Sequence, residues 1–220
     1  MKTRQKRRFQ KLLGQGQEIT KFAALAEELL TARDCPPQIT IVQSNGKKKK
    51  RGDILPFVRG LRLSARLIYI LREKLRDYAV EVNWGHVQDD KQRLCSPECD
   101  IIIHKGGMSD RWNGHHNNNS SVMDFWFIQR DCVKAIISCK SLFASVDDDF
   151  AKVVKQSFKI KNLFLFVEAV NEKNYKKLRQ KALASGYKGV WPLYRKAANG
   201  DIIKNPQDYL DFLHEIRKVL

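Results

Sequence analysis

The sequence predicts an α/β fold with a central mixed sheet flanked by helices. Three observations carry that prediction. Residues 55–78 form a long amphipathic stretch at helical spacing, four β-type segments follow between residues 78 and 139, and an apolar run at residues 163–167 sits between two helical stretches. A switch of hydrophobic period from about 3.6 to 2 and back is the pattern of helices packed on a sheet. The apolar fraction of 43% over 220 residues is enough for a packed core, so wholesale disorder is excluded.

The elements follow in order. Residues 1–17 are rich in Lys, Arg, Gln and Gly and read as a flexible basic arm or a frayed helix. From Glu18 to Asp34, Ile19, Phe22, Leu25, Ala26, Leu29 and Leu30 recur at helical spacing, and Pro36 with Pro37 stops the helix. Gln38 to Ser44 alternates like a short strand. Asn45 and Gly46 then open the run Lys47, Lys48, Lys49, Lys50 and Arg51, whose mutual repulsion predicts an exposed linker. Leu61, Ala65, Ile68, Leu71 and Leu75 make one stripe of the next helix. Four strands are expected at residues 78–84, 99–103, 124–128 and 133–139, where β-branched and aromatic residues concentrate. The Gly-, Asn- and Ser-rich segment from Lys105 to Val122 reads as a surface loop. A helix from Val146 to Phe158, the strand Leu163 to Val167, a basic helix from Asn171 to Ala184, a short strand near Val190 to Tyr194 and a helix from Pro206 complete the order. Two units result: a basic N-terminal extension over residues 1–52, with one helix and a Lys-rich linker, and an α/β domain over residues 53–220.

Charge points to the partner class. The chain carries 41 Lys and Arg against 24 Asp and Glu, a formal charge of +17. Residues 1–51 hold 13 basic and 4 acidic side chains, and the remainder is also net basic. Lysine and arginine on a phosphate backbone release condensed counterions, so a nucleic-acid partner is expected. Five cysteines, an odd count with two in apolar strand-like runs, suit reduced thiols and a cytoplasmic location better than a disulfide framework. No apolar stretch of about 18 residues is present, so no membrane association is expected.

The chemistry-bearing pattern lies on two of the predicted strands. Glu98, Cys99 and Asp100 lead into Ile101, Ile102 and Ile103, and a later apolar strand ends in Ser138, Cys139 and Lys140. Phosphodiester hydrolysis with a divalent cation needs carboxylate oxygens and a cationic group near the attacking water, and residues two apart on a strand share a face. The arrangement resembles the PD-(D/E)XK nuclease superfamily, in which Glu-x-Asp precedes one apolar run and Glu-x-Lys ends another. The likeness spans roughly residues 54–170 and includes the order of elements. It implies a restriction-endonuclease-like fold with Asp100 as first metal ligand, Glu98 beside it, Lys140 as the lysine and Ser138 at the position of the second acid. The implied cofactor is Mg²⁺ or Mn²⁺, and the implied role is restriction, repair or anti-phage defence, among which the sequence does not choose.

Ser138 departs from the pattern, because a neutral hydroxyl is a poor ligand for a hard cation. The next helix offers Lys152, Val153 and Val154 where a replacement acid is carried in some restriction endonucleases. Asp147, Asp148, Asp149, Glu73 and Glu81 are the remaining carboxylates considered. A catalytically degenerate nucleic-acid-binding module is the alternative to a metal-dependent DNA endonuclease, and an RNA- or ribosome-associated α/β protein is a third class.

The expected nucleic-acid contacts are Lys47, Lys48, Lys49, Lys50 and Arg51, Lys105, Arg111 and Trp112 in the loop, and Lys173, Lys176 and Lys177 on the basic helix. DNA is favoured over RNA, and a homodimer or a partner protein is left open. Zinc at Cys95, Cys99 and the histidines lacks the usual ligand spacing. Cys139 reads as a buried thiol, and Trp126 and Trp191 read as core residues.

Overall fold

The computed structural model describes residues 40–42, 44–50, 55–106, 108–112, 125–141 and 145–220. The basic arm, the helix expected at residues 18–34, Arg51 and the segment at residues 113–124 lie outside these. A small hairpin comes first. Strand β1 (Thr40–Val42) pairs antiparallel with β2 (Lys48–Lys50), with Thr40 opposite Lys50. Lys48, Lys49 and Lys50 of the lysine run are therefore paired as a strand. Asn45 and Gly46 make the reversal possible, Gly46 at φ 75° and the Asn45 Oδ1 accepting the Lys47 N–H at 3.0 Å.

The main sheet has nine strands among the described residues. They are β3 (Glu81–Asp89), β4 (Leu94–Cys95), β5 (Cys99–His104), β6 (Met108–Trp112), β7 (Phe125–Gln129), β8 (Val133–Lys140), β9 (Leu163–Asn171), β10 (Val190–Lys196) and β11 (Ile202–Ile203). The spatial order is β11, β10, β9, β8, β5, β3, β7, β6, with β4 added beside β3. β8, β9 and β10 run parallel, β5 is antiparallel to both β3 and β8, and β3 is parallel to β7. The mixed sheet and its flanking helices agree with the restriction-endonuclease-like class expected from the sequence.

Both faces of the sheet are covered. Helix α1 (Leu55–Lys74) and the C-terminal helix α4 (Pro206–Arg217) pack on one face, where Leu67, Leu71, Phe166, Tyr209 and Phe212 are buried together. The other face is covered by α2 (Asp148–Lys152), which continues into a π-type turn at Val153–Ser157, and by α3 (Glu172–Ala184). Burial on two sides explains why Leu163 to Val167 is uniformly apolar rather than alternating. The centre of the buried stripe on α1 is Leu63, Leu67, Ile70 and Leu71; Leu61 and Ala65 are only half-buried because they border the cleft described below.

Besides β2, the strands β4, β6 and β11 were not expected. β6 lies inside the segment read as a loop, with Trp112 opposite Phe125 and a bulge between Met108 and Asp110. Its sequence has no alternating apolar pattern, so the ladder to β7 rather than local propensity defines it. β11 is a two-residue edge formed by pairing Lys196 with Ile202. No helix among the described residues is long and apolar enough to cross a membrane.

Candidate active site

The antiparallel register of β5 and β8 sets Ile101 opposite Ile137, which brings Asp100 beside Ser138 at one end of the sheet. Lys140 is two residues further along β8, on the same face as Ser138. The Cys139 N–H donates to Asp100 Oδ2 at 2.8 Å, and the Ser138 hydroxyl donates to the same oxygen at 3.4 Å. Ser138 is 3% exposed, so it braces Asp100 from within the sheet and does not face solvent.

Glu98 is held from β3. The Trp84 indole N–H donates to Glu98 Oε1 at 2.9 Å, and both residues line one cleft with Asp100, under Gly60, Ser64 and Ile68 of α1. That cleft has a volume of about 40 Å³. By the measure of about 10–15 Å³ per water it has room for an ion with a few waters.

The electrostatics concentrate at Asp100. Burial raises its carboxyl above the ordinary aspartate range, and the Glu98 charge adds to the rise; the Cys139 N–H, Lys140 and Ser138 act in the opposite direction. Two carboxylates on one cleft are a chemical fit for a hard cation. Two carboxylates, not three, face the cleft, and no group of three or more His, Cys, Asp or Glu residues is placed to hold a metal among the described residues. Mg²⁺ is accommodated in sites of one or two carboxylates when water and substrate phosphates complete its shell, so Glu98 and Asp100 suffice for that mode.

Lys140 is paired. Its Nζ is 3.8 Å from Asp147 Oδ2, and Asp147 also caps α2 by accepting the Phe150 N–H at 3.0 Å. Tyr187 closes the group from below, its hydroxyl donating to the Asp147 carbonyl at 3.2 Å. Burial, with the charges of Asp147 and Asp148, pushes that phenol well above its ordinary value. Asp147 is thus the carboxylate that the fold brings to Lys140. Asp148 is engaged by Lys181 at 3.0 Å and by Ser185. Glu81 pairs across from His104 at the far end of β5, and Glu73 sits at the far end of α1, so neither serves the site.

The expected nucleic-acid residues are dispersed. Lys47 and Lys48 are exposed on the hairpin, and Lys49 and Lys50 lie in β2. Lys173, Lys176 and Lys177 are exposed on α3. Arg111 and Trp112 have their backbone in β6, opposite Trp126 and Phe125. Lys105 is exposed but follows His104 at the other end of β5 from Asp100, about 16 Å along an extended strand. The structure does not bring it to the site.

The remaining sequence readings resolve simply. Burial pushes the Cys139 thiol well above its ordinary value and the Cys99 thiol up to about 12, which leaves neither a nucleophile. Trp126 and Trp191 are buried. The brace from Trp84 and the approach of Tyr187 had no signal in the sequence, whereas Asp147 carried one, an aspartate at the start of a helical run.

No family model matches the chain, and no curated protein is similar to it in sequence. Its fold is similar to two solved structures of NucC in cAAA-bound form. For the E. coli protein the TM-score is 0.55 at 10% identity, covering 93% of this chain and 90% of that one. For the P. aeruginosa protein the TM-score is 0.55 at 10% identity, covering 93% and 91%.

Proposed function

We propose that the protein is a metal-dependent nuclease of the PD-(D/E)XK kind that hydrolyses phosphodiester bonds in DNA, in restriction or anti-phage defence. The observation that carries the reading is the register of β5 and β8, which sets Asp100 beside Ser138 and two residues from Lys140, whose charge acts on Asp100, with Glu98 on the same cleft as Asp100. The fold likeness to NucC supports it.

Glu98 and Asp100 would hold Mg²⁺ or Mn²⁺, which when bound supplies Lewis-acid polarisation of the phosphoryl group and a more acidic water. The rest is done by the chain's own groups. Asp100 is kept in one orientation by the Cys139 N–H, and Glu98 by the Trp84 indole, so neither carboxylate has to reorganise when substrate arrives. Lys140 places a positive charge beside the reacting phosphate, and Asp147 fixes where that charge sits. The net positive charge draws the strand in, with the lysines of β2 and α3 as contacts.

The test is cleavage of duplex, single-stranded and branched DNA, and of RNA, with Mg²⁺ or Mn²⁺. Cutting that disappears in Asp100→Asn and Lys140→Ala while binding persists supports a nuclease. The presence of a serine where the family pattern has an acid favours one second reading, a binding module without hydrolysis. Binding with no cutting of any substrate establishes that instead.

A further inference from the structure

A second charged concavity lies at the opposite end of the sheet. It has a volume of about 350 Å³, inside the range of roughly 300–1,000 Å³ that ligand clefts occupy. Its lining includes Arg130, Asp131, Lys134, Lys159, Lys161 and Asn162. Lys134 is six residues before Lys140 on β8, about 20 Å along the strand, so this cleft and the Asp100 site do not share a substrate phosphate.

The balance of charge within it is uneven. Arg130 is accounted for, donating to Asp89 Oδ2 at 2.5 Å and to Asp131 Oδ1 at 3.0 Å. That leaves Lys134, Lys159 and Lys161 with no acidic partner within ion-pair distance among the described residues. Lys134, Lys159 and Lys161 thus line one cleft whose lining carboxylate, Asp131, is engaged by Arg130, and a bound anion offsets the excess of positive charge.

The frame is fixed rather than loose. The Asn162 amide donates to the Lys134 carbonyl at 2.8 Å, and the Ile136 N–H donates to the Asn162 carbonyl at 2.9 Å. Lys159 is held at φ 56°, a left-handed conformation that a side-chain-bearing residue adopts at some cost. The Phe158 and Ile160 N–H groups on either side are tied to Val153 and Val154. The two loop lysines are thus presented from a fixed turn against a lysine on the sheet.

We infer that this cleft binds a phosphate-bearing ligand of nucleotide size, at a site separate from the Asp100 end. The shared chemistry is a phosphate or diphosphate on Lys134, Lys159 and Lys161, and it can come from a free nucleotide or from the backbone of a nucleic-acid strand. The inference does not depend on hydrolysis at Asp100.

The experiment uses the full chain without divalent cations, so that the Glu98 and Asp100 cleft takes no part. Inorganic pyrophosphate, ATP and a single-stranded oligonucleotide are titrated by calorimetry against the wild type, the triple variant Lys134→Gln, Lys159→Gly, Lys161→Gln, and a control of equal charge change, Lys91→Gln, Lys152→Gln, Lys188→Gln. Glycine at position 159 removes the side chain while keeping the positive φ accessible, and circular dichroism checks the fold. Saturable binding of pyrophosphate and ATP that weakens at least ~10-fold in the cleft variant but not in the control assigns a free nucleotide. Loss confined to the oligonucleotide, with the salt slope falling by about 2, as expected for three strand phosphates, assigns a strand. Equal losses in cleft variant and control, unchanged binding in the cleft variant, or no binding of any of the three probes overturns the inference.

Discussion

The Cys139 backbone N–H points at Asp100 Oδ2 from 2.8 Å across the β5 and β8 pair. A ladder donor is thereby spent on a side chain at the point where the two strands part, and it holds a carboxylate in place that burial would otherwise expel. The cost of that carboxylate is the basis of the first prediction.

Asp100 titrates higher in the fold than in the unfolded chain. For such a group the stabilising contribution is complete at pH below the unfolded value and is lost as pH rises through the folded one, so ionised Asp100 weakens the cation-free protein at neutral pH. Asp100→Asn keeps an acceptor for the Cys139 N–H and removes the charge. The thermal midpoint without divalent cations is expected to rise, on the order of 1 kcal/mol or ~2–4 °C for a chain of this size. Nuclease activity is expected to vanish in the same variant.

Asp147 has two tasks that a single substitution separates. Asp147→Ser retains a good helix cap and removes the charge facing Lys140. Stability is expected to change by less than ~1 kcal/mol, because the ion pair is partly exposed. Cleavage is expected to fall at least ~10-fold, and Lys140→Ala to lower it by ~10²–10³-fold, both read as kcat/KM on one DNA substrate.

His104 anchors the far end of β5 in a directed chain. The Arg72 guanidinium donates to Asn83 Oδ1 at 2.7 Å, the Asn83 amide donates to His104 Nε2 at 2.9 Å, and His104 Nδ1–H donates to the Gly106 carbonyl at 3.0 Å. The Nε2 lone pair is therefore in use, and burial lowers the imidazole below its ordinary value. Neutral His104 gives full stability above about pH 6.5, the ordinary histidine value, and the stability falls as the unfolded chain takes up a proton below it. Melting curves from pH 8 to pH 5 are expected to drop on the acid side more in the wild type than in His104→Gln.

Gly85 marks the irregularity where β3 passes between β5 and β7. Its φ is 152°, and a Cβ there would lie 1.9 Å from the Trp126 carbonyl oxygen. Backbone cannot yield as a flexible side chain does. Gly85→Ala is expected to cost more than ~3 kcal/mol, seen as a large fall in the urea midpoint or as insoluble protein.

What the sequence revealed and what it hid follow a physical division. Helix α1, β8, β9 and α4 were legible because burial writes periodicity into the residues that pack. Asp100 and Lys140 were legible as a pair because each ends or begins an apolar strand. β2 and β6 were not, since a lysine triplet and Met-Ser-Asp-Arg-Trp become strands by pairing with a partner elsewhere in the chain. The Trp84 hydrogen bond to Glu98 depends on strand register across the β3 irregularity, and Tyr187 reaches Asp147 from 40 positions away, separations no local pattern encodes. The basic cleft has no signature in the sequence for the same reason, because Lys134 and the turn at Lys159 come to one cleft only in the folded sheet.

The Glu98 and Asp100 cleft is tested most directly by titrating Mn²⁺ into the whole chain and following its electron paramagnetic resonance signal. One Mn²⁺ bound per chain, lost in Asp100→Asn and weakened in Glu98→Gln, is the result expected. Mn²⁺ that stays free in the wild type, or binds equally well to Asp100→Asn, would contradict a cation site between these two carboxylates.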